Sequence, residues 1–93
     1  MEYIRVEWVH SDPGQPNLLY TEIDANRFET RKVDLFADGR IGFACDGEAT
    51  LSLGTDLSPE PLPTVEEIAS DPEFRAARIA KEEFEEVWSR RIP

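Results

Sequence analysis

Most of the residues that carry chemistry are scarce in this sequence. A single cysteine, Cys45, in 93 residues excludes an internal disulfide framework and any multi-cysteine metal site, and it fits a reducing compartment. The lone histidine, His10, rules out an HExxH zinc helix. No Walker loop, GxGxxG turn or GxSxG elbow occurs either. The start, MEYIRVEW, has no basic stretch followed by an apolar run, and no segment approaches the length of a bilayer crossing, so a cytoplasmic protein without a membrane anchor is expected. Positive charge is also short. Ten Lys and Arg face twenty Asp and Glu, a net charge of −10, which argues against binding nucleic acid or anionic lipid through their phosphates and leaves a basic protein as the easier partner. The excess is uneven, because residues 46–93 hold twelve acids against five bases while residues 1–45 hold eight against five.

What remains is enough for one globular domain over residues 1–93, with 40% hydrophobic residues to build a modest core. YIRVEWVH, residues 3–10, alternates so that Ile4, Val6, Trp8 and His10 share one face of a strand. SDPGQP, residues 11–16, is turn chemistry, with φ fixed at Pro13 and Pro16 and permissive at Gly14. NLLYTEI, residues 17–23, makes a second strand, and the turn DANR, residues 24–27, leads to a third from Phe28 to Phe36. Asp38 and Gly39 suit a tight two-residue turn into a fourth strand from Arg40 to about Cys45. That turn pairs Phe36 with Ile41, Asp34 with Phe43 and Lys32 with Cys45, while a turn closed by Asp24 and Arg27 pairs Glu22 with Glu29 and Tyr20 with Arg31. Leu18, Tyr20, Val33, Leu35, Gly42 and Ala44 then share a face on which a helix should pack. A bulge in the third strand is the other way to reconcile two partly apolar faces.

Residues 46–63 read as an irregular, proline-containing connection with at most a short edge strand. Within it PEPLP, residues 59–63, is stiff and serves as a structural link or a proline-rich docking ligand. Thr64 with Glu67 forms a capping box for a short helix, Val65 to Ala69. Ser70 or Asp71, followed by Pro72, should cap a longer second helix, whose stripe of Phe74, Ala77, Ala80, Phe84, Val87 and Trp88 packs on the sheet. The expected fold class is α+β: an antiparallel β-meander of about four strands over residues 2–45, packed against one short and one long C-terminal helix over residues 64–90.

Candidate functional residues are few. His10 beside Ser11 and Asp12 is no triad, since neighbouring strand-end residues point in different directions, and a hydrogen-bonded sheet-edge histidine is the plainer reading. Cys45 has no His or CxxC neighbour and reads as a small buried hydrophobe. Asp46, Gly47 and Glu48 lack the ligand set of a calcium loop. No metal and no cofactor are therefore expected. The proposed register brings Tyr20, Glu22, Glu29 and Arg31 together on one face, where with His10 they could hold a small polar ligand or form a cross-strand ion pair.

MEYIRVEWVH at the start, LLYTEIDANRFETRKVDLFADGRIGFA in the middle, and PLPTVEEIASDPEF with FEEVW near the end resemble a small bacterial domain family of about this length and of unknown function. The resemblance covers nearly the whole chain and implies no catalytic or binding residue. Two functions follow from the residues themselves. One is a non-enzymatic, acidic interaction protein, of the immunity or antitoxin kind by analogy of size and charge with other small bacterial domains, binding a basic partner through Glu82, Glu83, Glu85 and Glu86. The other is a polar-ligand binder or minor enzyme built on His10, Tyr20, Glu22, Glu29 and Arg31. Self-association through an exposed aromatic face stays open.

Overall fold

A computed structural model describes residues 1–45 and 55–91. The architecture is α+β. Strands β1 (Glu2–Trp8), β2 (Leu18–Ile23), β3 (Glu29–Leu35) and β4 (Ile41–Cys45) form an antiparallel meander, followed by helix α1 (Val65–Ala69), strand β5 (Phe74–Arg78) and helix α2 (Lys81–Ser89). The five strands make one sheet in the order β4-β3-β2-β1-β5, so the chain's last strand returns to lie against its first.

β5 corrects the expectation of one long second helix. FRAAR has the alanines of a helix, but it also lies where β1 would otherwise show an unpaired edge, and pairing Ile4 with Arg78, Val6 with Ala76 and Trp8 with Phe74 satisfies that edge. Ser70 and Asp71 accordingly do not cap a helix. Ser70 closes α1, and the Asp71 carbonyl accepts from the Phe74 N–H at 3.0 Å in the turn that leads to β5. Of the predicted stripe, Phe84, Val87 and Trp88 are helical, while Phe74 and Ala77 belong to β5. The first helix matches its expected bounds, with both hydrogen bonds of the Thr64–Glu67 capping box present.

Both hairpin turns are one residue longer than expected. The Phe36 N–H donates to the Arg40 carbonyl and the Gly39 N–H to the Phe36 carbonyl, each at 3.0 Å. The loop therefore holds Ala37, Asp38 and Gly39, with Gly39 at φ 92° as the left-handed third residue. The first hairpin repeats this pattern: Asp24 bonds to Phe28, and Arg27, at φ 69°, takes the left-handed position. Consequently Leu35 faces Ile41 and Val33 faces Phe43, which turns Gly42 and Ala44 to the opposite face from the one expected. A register shift between Glu22 and Ile23 adds a further step, so Glu22 faces Arg31 while Ile23 faces Glu29. The alternative, a bulge in the third strand, lies there, and it puts Glu29 and Arg31 on opposite faces.

Each face of the sheet is covered by a different layer. Tyr3, Tyr20 and Val33 pack against Phe84 and Val87 of α2, flanked by Leu18, Leu35 and Ile41. On the other face Ile4 and Ile23 pack against Val65 of α1, together with Leu62 from the connection. Phe84, fully buried, contributes about 2–3 kcal/mol by its burial alone. Two coated faces explain why neither strand face reads as cleanly polar.

Candidate functional site

The cross-strand cluster is real in part, and it is filled. Arg31 grips Glu22 with two parallel hydrogen bonds, Nε to Oε1 at 2.9 Å and Nη2 to Oε2 at 2.6 Å. The Glu22 carboxylate also accepts from the Thr30 hydroxyl at 2.6 Å and the Tyr3 hydroxyl at 2.9 Å. From above, Glu85 of α2 meets Arg31 Nη1 at 2.7 Å, and the guanidinium lies over the rings of Phe84 and Trp88, 4.9 and 5.0 Å from their centroids. The Arg31 hydrogen bonds hold Glu22 down to about 2 against burial, which acts the other way, and the Glu22 bonds raise Arg31 further. Burial, then Glu22, pushes the Tyr3 hydroxyl up. A carboxylate with four donors and a depressed pKa is a poor general base at neutral pH. The arrangement joins β2, β3 and α2.

The other candidates lie elsewhere. Glu29 is on the opposite face, accepting from the Thr21 hydroxyl and from the Ser58 N–H, each at 2.7 Å. His10 has both ring nitrogens engaged: Nε2 donates to the Pro16 carbonyl at 2.7 Å, and Nδ1 accepts from the Asp12 N–H at 3.0 Å. It braces the 11–16 turn, with its ring edge-on to Trp8 at 4.4 Å. Tyr20 is buried at the floor of a basin of about 800 Å³ whose walls include Arg5, Glu7, His10, Arg75 and Ala77. Thus Tyr20 and His10 share a concavity, Glu22 and Arg31 are sealed beside it under α2, and Glu29 is on the far side of the sheet.

The four glutamates of α2 are mostly occupied. Glu83 pairs with Arg5 at 3.4 Å, Glu85 with Arg31 at 2.7 Å, and Glu86 with Arg90 at 2.6 Å, leaving Glu82 exposed in the first turn. A more strongly acidic surface lies on the opposite layer. From Ile41 to Phe74 the chain carries eight acids and not one Lys or Arg. Of these, Asp56, Glu60, Glu66, Glu67 and Glu73 are exposed and Asp71 half-buried, and Glu66 alone of the six meets a cation, Arg78 at 3.1 Å. The signal was present as a gap in the spacing of basic residues. Counting charge by halves diluted it.

This acidic layer is pinned to the sheet by side chains. Arg27 donates to the carbonyls of Leu62 at 2.8 Å and Pro63 at 2.7 Å and to Glu2 at 3.1 Å. The Leu62 N–H returns a bond to the Arg27 carbonyl at 2.8 Å. Leu62 and Pro63 are therefore tied to the first hairpin, with Leu62 partly buried against Ile4, Ile23 and Val65, as a structural link requires. Thr55, also buried, donates its hydroxyl to Asp34 Oδ2 at 3.0 Å, and burial pushes the Asp34 carboxyl up. Asp46, Gly47 and Glu48 fall outside the described residues, among which no group of three or more His, Cys, Asp or Glu side chains is placed to hold a metal ion. Cys45, half-buried, ends β4 opposite Arg31. No described helix is long and apolar enough to cross a membrane.

Searches against curated proteins and against solved structures each returned no match. The model of one protein family matches residues 2–93, and on that match the chain belongs to the family described as Domain of unknown function (DUF6881).

Proposed function

We propose that this chain is a non-enzymatic interaction protein that binds a basic protein surface, in the manner of an immunity protein or antitoxin, and that it does so with the layer formed by residues 55–73. The observation that carries this reading is the run of eight acids without a cation between Arg40 and Arg75, of which the six described ones, Asp56 to Glu73, belong to the layer over one face of the sheet. Such a single-signed surface speeds encounter with a basic partner and loses that advantage as salt rises. The α2 glutamates first suggested by sequence are a weaker footprint, because three of the four already face arginines of the same chain.

The test is capture of partners by tagged protein from lysate of its source cells at low and high salt, with two charge-reversed variants in parallel. D56K/E60K/E73K is expected to lose a basic protein that the parent retains at low salt, while E82K/E86K keeps it. Retention by the first variant and loss by the second would move the interface back to α2. Capture indifferent to salt and to both variants would refute the electrostatic reading.

A further inference from the structure

β5 lies at one end of the sheet, and its outer side is open. In the β1–β5 ladder the Val9 N–H donates to the Glu73 carbonyl and the Ile79 N–H to the Tyr3 carbonyl, each within 2.9 Å. By alternation the backbone groups of Arg75 and Ala77 also face β1, so those of Phe74, Ala76 and Arg78 face outward. The Asp71 carbonyl takes the Phe74 N–H at 3.0 Å, whereas Ala76 and Arg78 keep both N–H and carbonyl unpaired among the described residues. The arginines of β5 are already met, Arg75 by Glu7 and Arg78 by Glu2 and Glu66. Two charges at the ends of the strand are not. Glu73 precedes it and Lys81 follows it, both exposed, and neither has an oppositely charged partner among the described residues. Between them the backbone stays extended as far as Ala80, at φ −75° and ψ 153°.

We infer that this chain pairs with a second copy of itself along the outer edge of β5, antiparallel about a two-fold axis at Ala77. In this register Ala76 of each copy faces Arg78 of the other, and the pair exchanges N–H to carbonyl bonds in both directions, so all the open groups are used. An axis at Ala76 would instead aim the Arg78 carbonyl at the Phe74 N–H, which Asp71 already holds. At the axis Ala77 meets Ala77, a side chain small enough for the close approach of a non-hydrogen-bonded pair. The same symmetry sets Glu73 of each copy against Lys81 of the other. Both unmatched charges are thereby matched, and twice over. The two Arg78 side chains come diagonal to one another across the seam, but each brings Glu2 and Glu66 with it, so they do not confront each other as bare cations. The five-stranded sheet of one copy then continues into that of the other, an isologous contact that satisfies an edge neither copy covers alone. Self-pairing does not depend on the acidic layer binding a basic partner.

The experiment sediments the full chain over a range of concentrations and follows hydrogen exchange of the Ala76 and Arg78 amides over the same range. A dimer that grows with concentration and slows exchange at both amides is expected. Ala76→Pro removes one outward N–H on each side of the axis, which an edge strand tolerates within its own chain, and should weaken the dimer on the order of thirtyfold, the equivalent of two net hydrogen bonds. Glu73→Lys and Lys81→Glu should each weaken it about tenfold, because two exposed attractions become repulsions. An equimolar mixture of these two variants should dimerise like the parent, since each charge again meets its opposite. Both positions are exposed, so this arm stands even if the proline variant fails to fold. A monomer at every concentration, a dimer whose Ala76 and Arg78 amides stay unprotected, or a mixture no tighter than its components would each overturn the inference.

Discussion

Replacing Arg31 with methionine tests the central electrostatic reading of this fold. Met keeps much of the apolar stem that lies against Phe84 and Trp88 but removes the guanidinium, so Glu22 loses two charge-assisted hydrogen bonds and keeps the hydroxyls of Tyr3 and Thr30. The Glu22 side chain is only 9% exposed, and leaving one partner of a buried pair uncompensated costs about 3–5 kcal/mol. Glu85, with its side chain 42% exposed, adds little to that loss. In a chain of this size such a cost lowers Tm on the order of 20 °C. The pH dependence is the sharper measure. In the parent, Glu22 titrates at about 2 rather than 4.5, so its stabilisation, at most about 3 kcal/mol, is complete above pH 4.5 and disappears as pH falls through 2. In Arg31→Met burial becomes the largest single influence left on the Glu22 carboxyl, and its pKa is expected to rise. Protonation then relieves the variant, and its deficit against the parent should narrow steadily from about pH 7 to about pH 4. Adding Glu22→Gln should recover part of the loss at neutral pH and flatten that dependence. Thermal melts across this range are sufficient, and a deficit below about 1 kcal/mol, or one that does not change with pH, would refute the reasoning.

Asp34→Asn should stabilise the protein at pH 7 by about 1 kcal/mol, because the amide oxygen can still accept from Thr55 while the buried charge is gone. The raised carboxyl pKa means the parent regains this as pH falls, so the gain should shrink toward acid pH, and a destabilised variant at pH 7 would show that the carboxylate has a partner worth keeping. At Arg27, both Ala and Gly lose the clamp on Leu62, Pro63 and Glu2, a cost of about 2–3 kcal/mol. Only Gly relaxes the left-handed backbone at φ 69°, so Arg27→Gly should exceed Arg27→Ala by about 1 kcal/mol in denaturant melts.

The meander, the capping box and the α+β class were legible because each rests on a local rule: period-2 alternation, Asp-Gly turn chemistry, and Thr64 three residues ahead of Glu67. Register was not legible, because a two-residue and a three-residue loop around Asp38 and Gly39 differ only in whether Ala37 or Phe36 pairs with Arg40, and that one step moved Gly42 and Ala44 to the other face. Arg27 hid a second such loop, since a left-handed arginine is stable only with carbonyls 35 residues away to hold its side chain. β5 was read as helix because its strand character is supplied by β1, a contact between the two ends of the chain. The candidate cluster fared accordingly: the Glu22 and Arg31 pairing survived the register error because both stayed on one face, and Glu29 left the group at the bulge.

The placement of β1 between β2 and β5 also bears on the order of assembly. During synthesis the first four strands emerge together and can zip into hairpins by closing short loops, whereas the pairing of Ile4 with Arg78 must wait for nearly the whole chain and close its largest loop. Until then the nascent protein displays an open β1 edge, with Ile4 and Val6 not yet covered by α1 and β5. Completion of the final strand is thus the step at which the β1 edge and the apolar side chains beside it are covered, and residues 74–78 should be the last to acquire protection in pulse-labelled refolding.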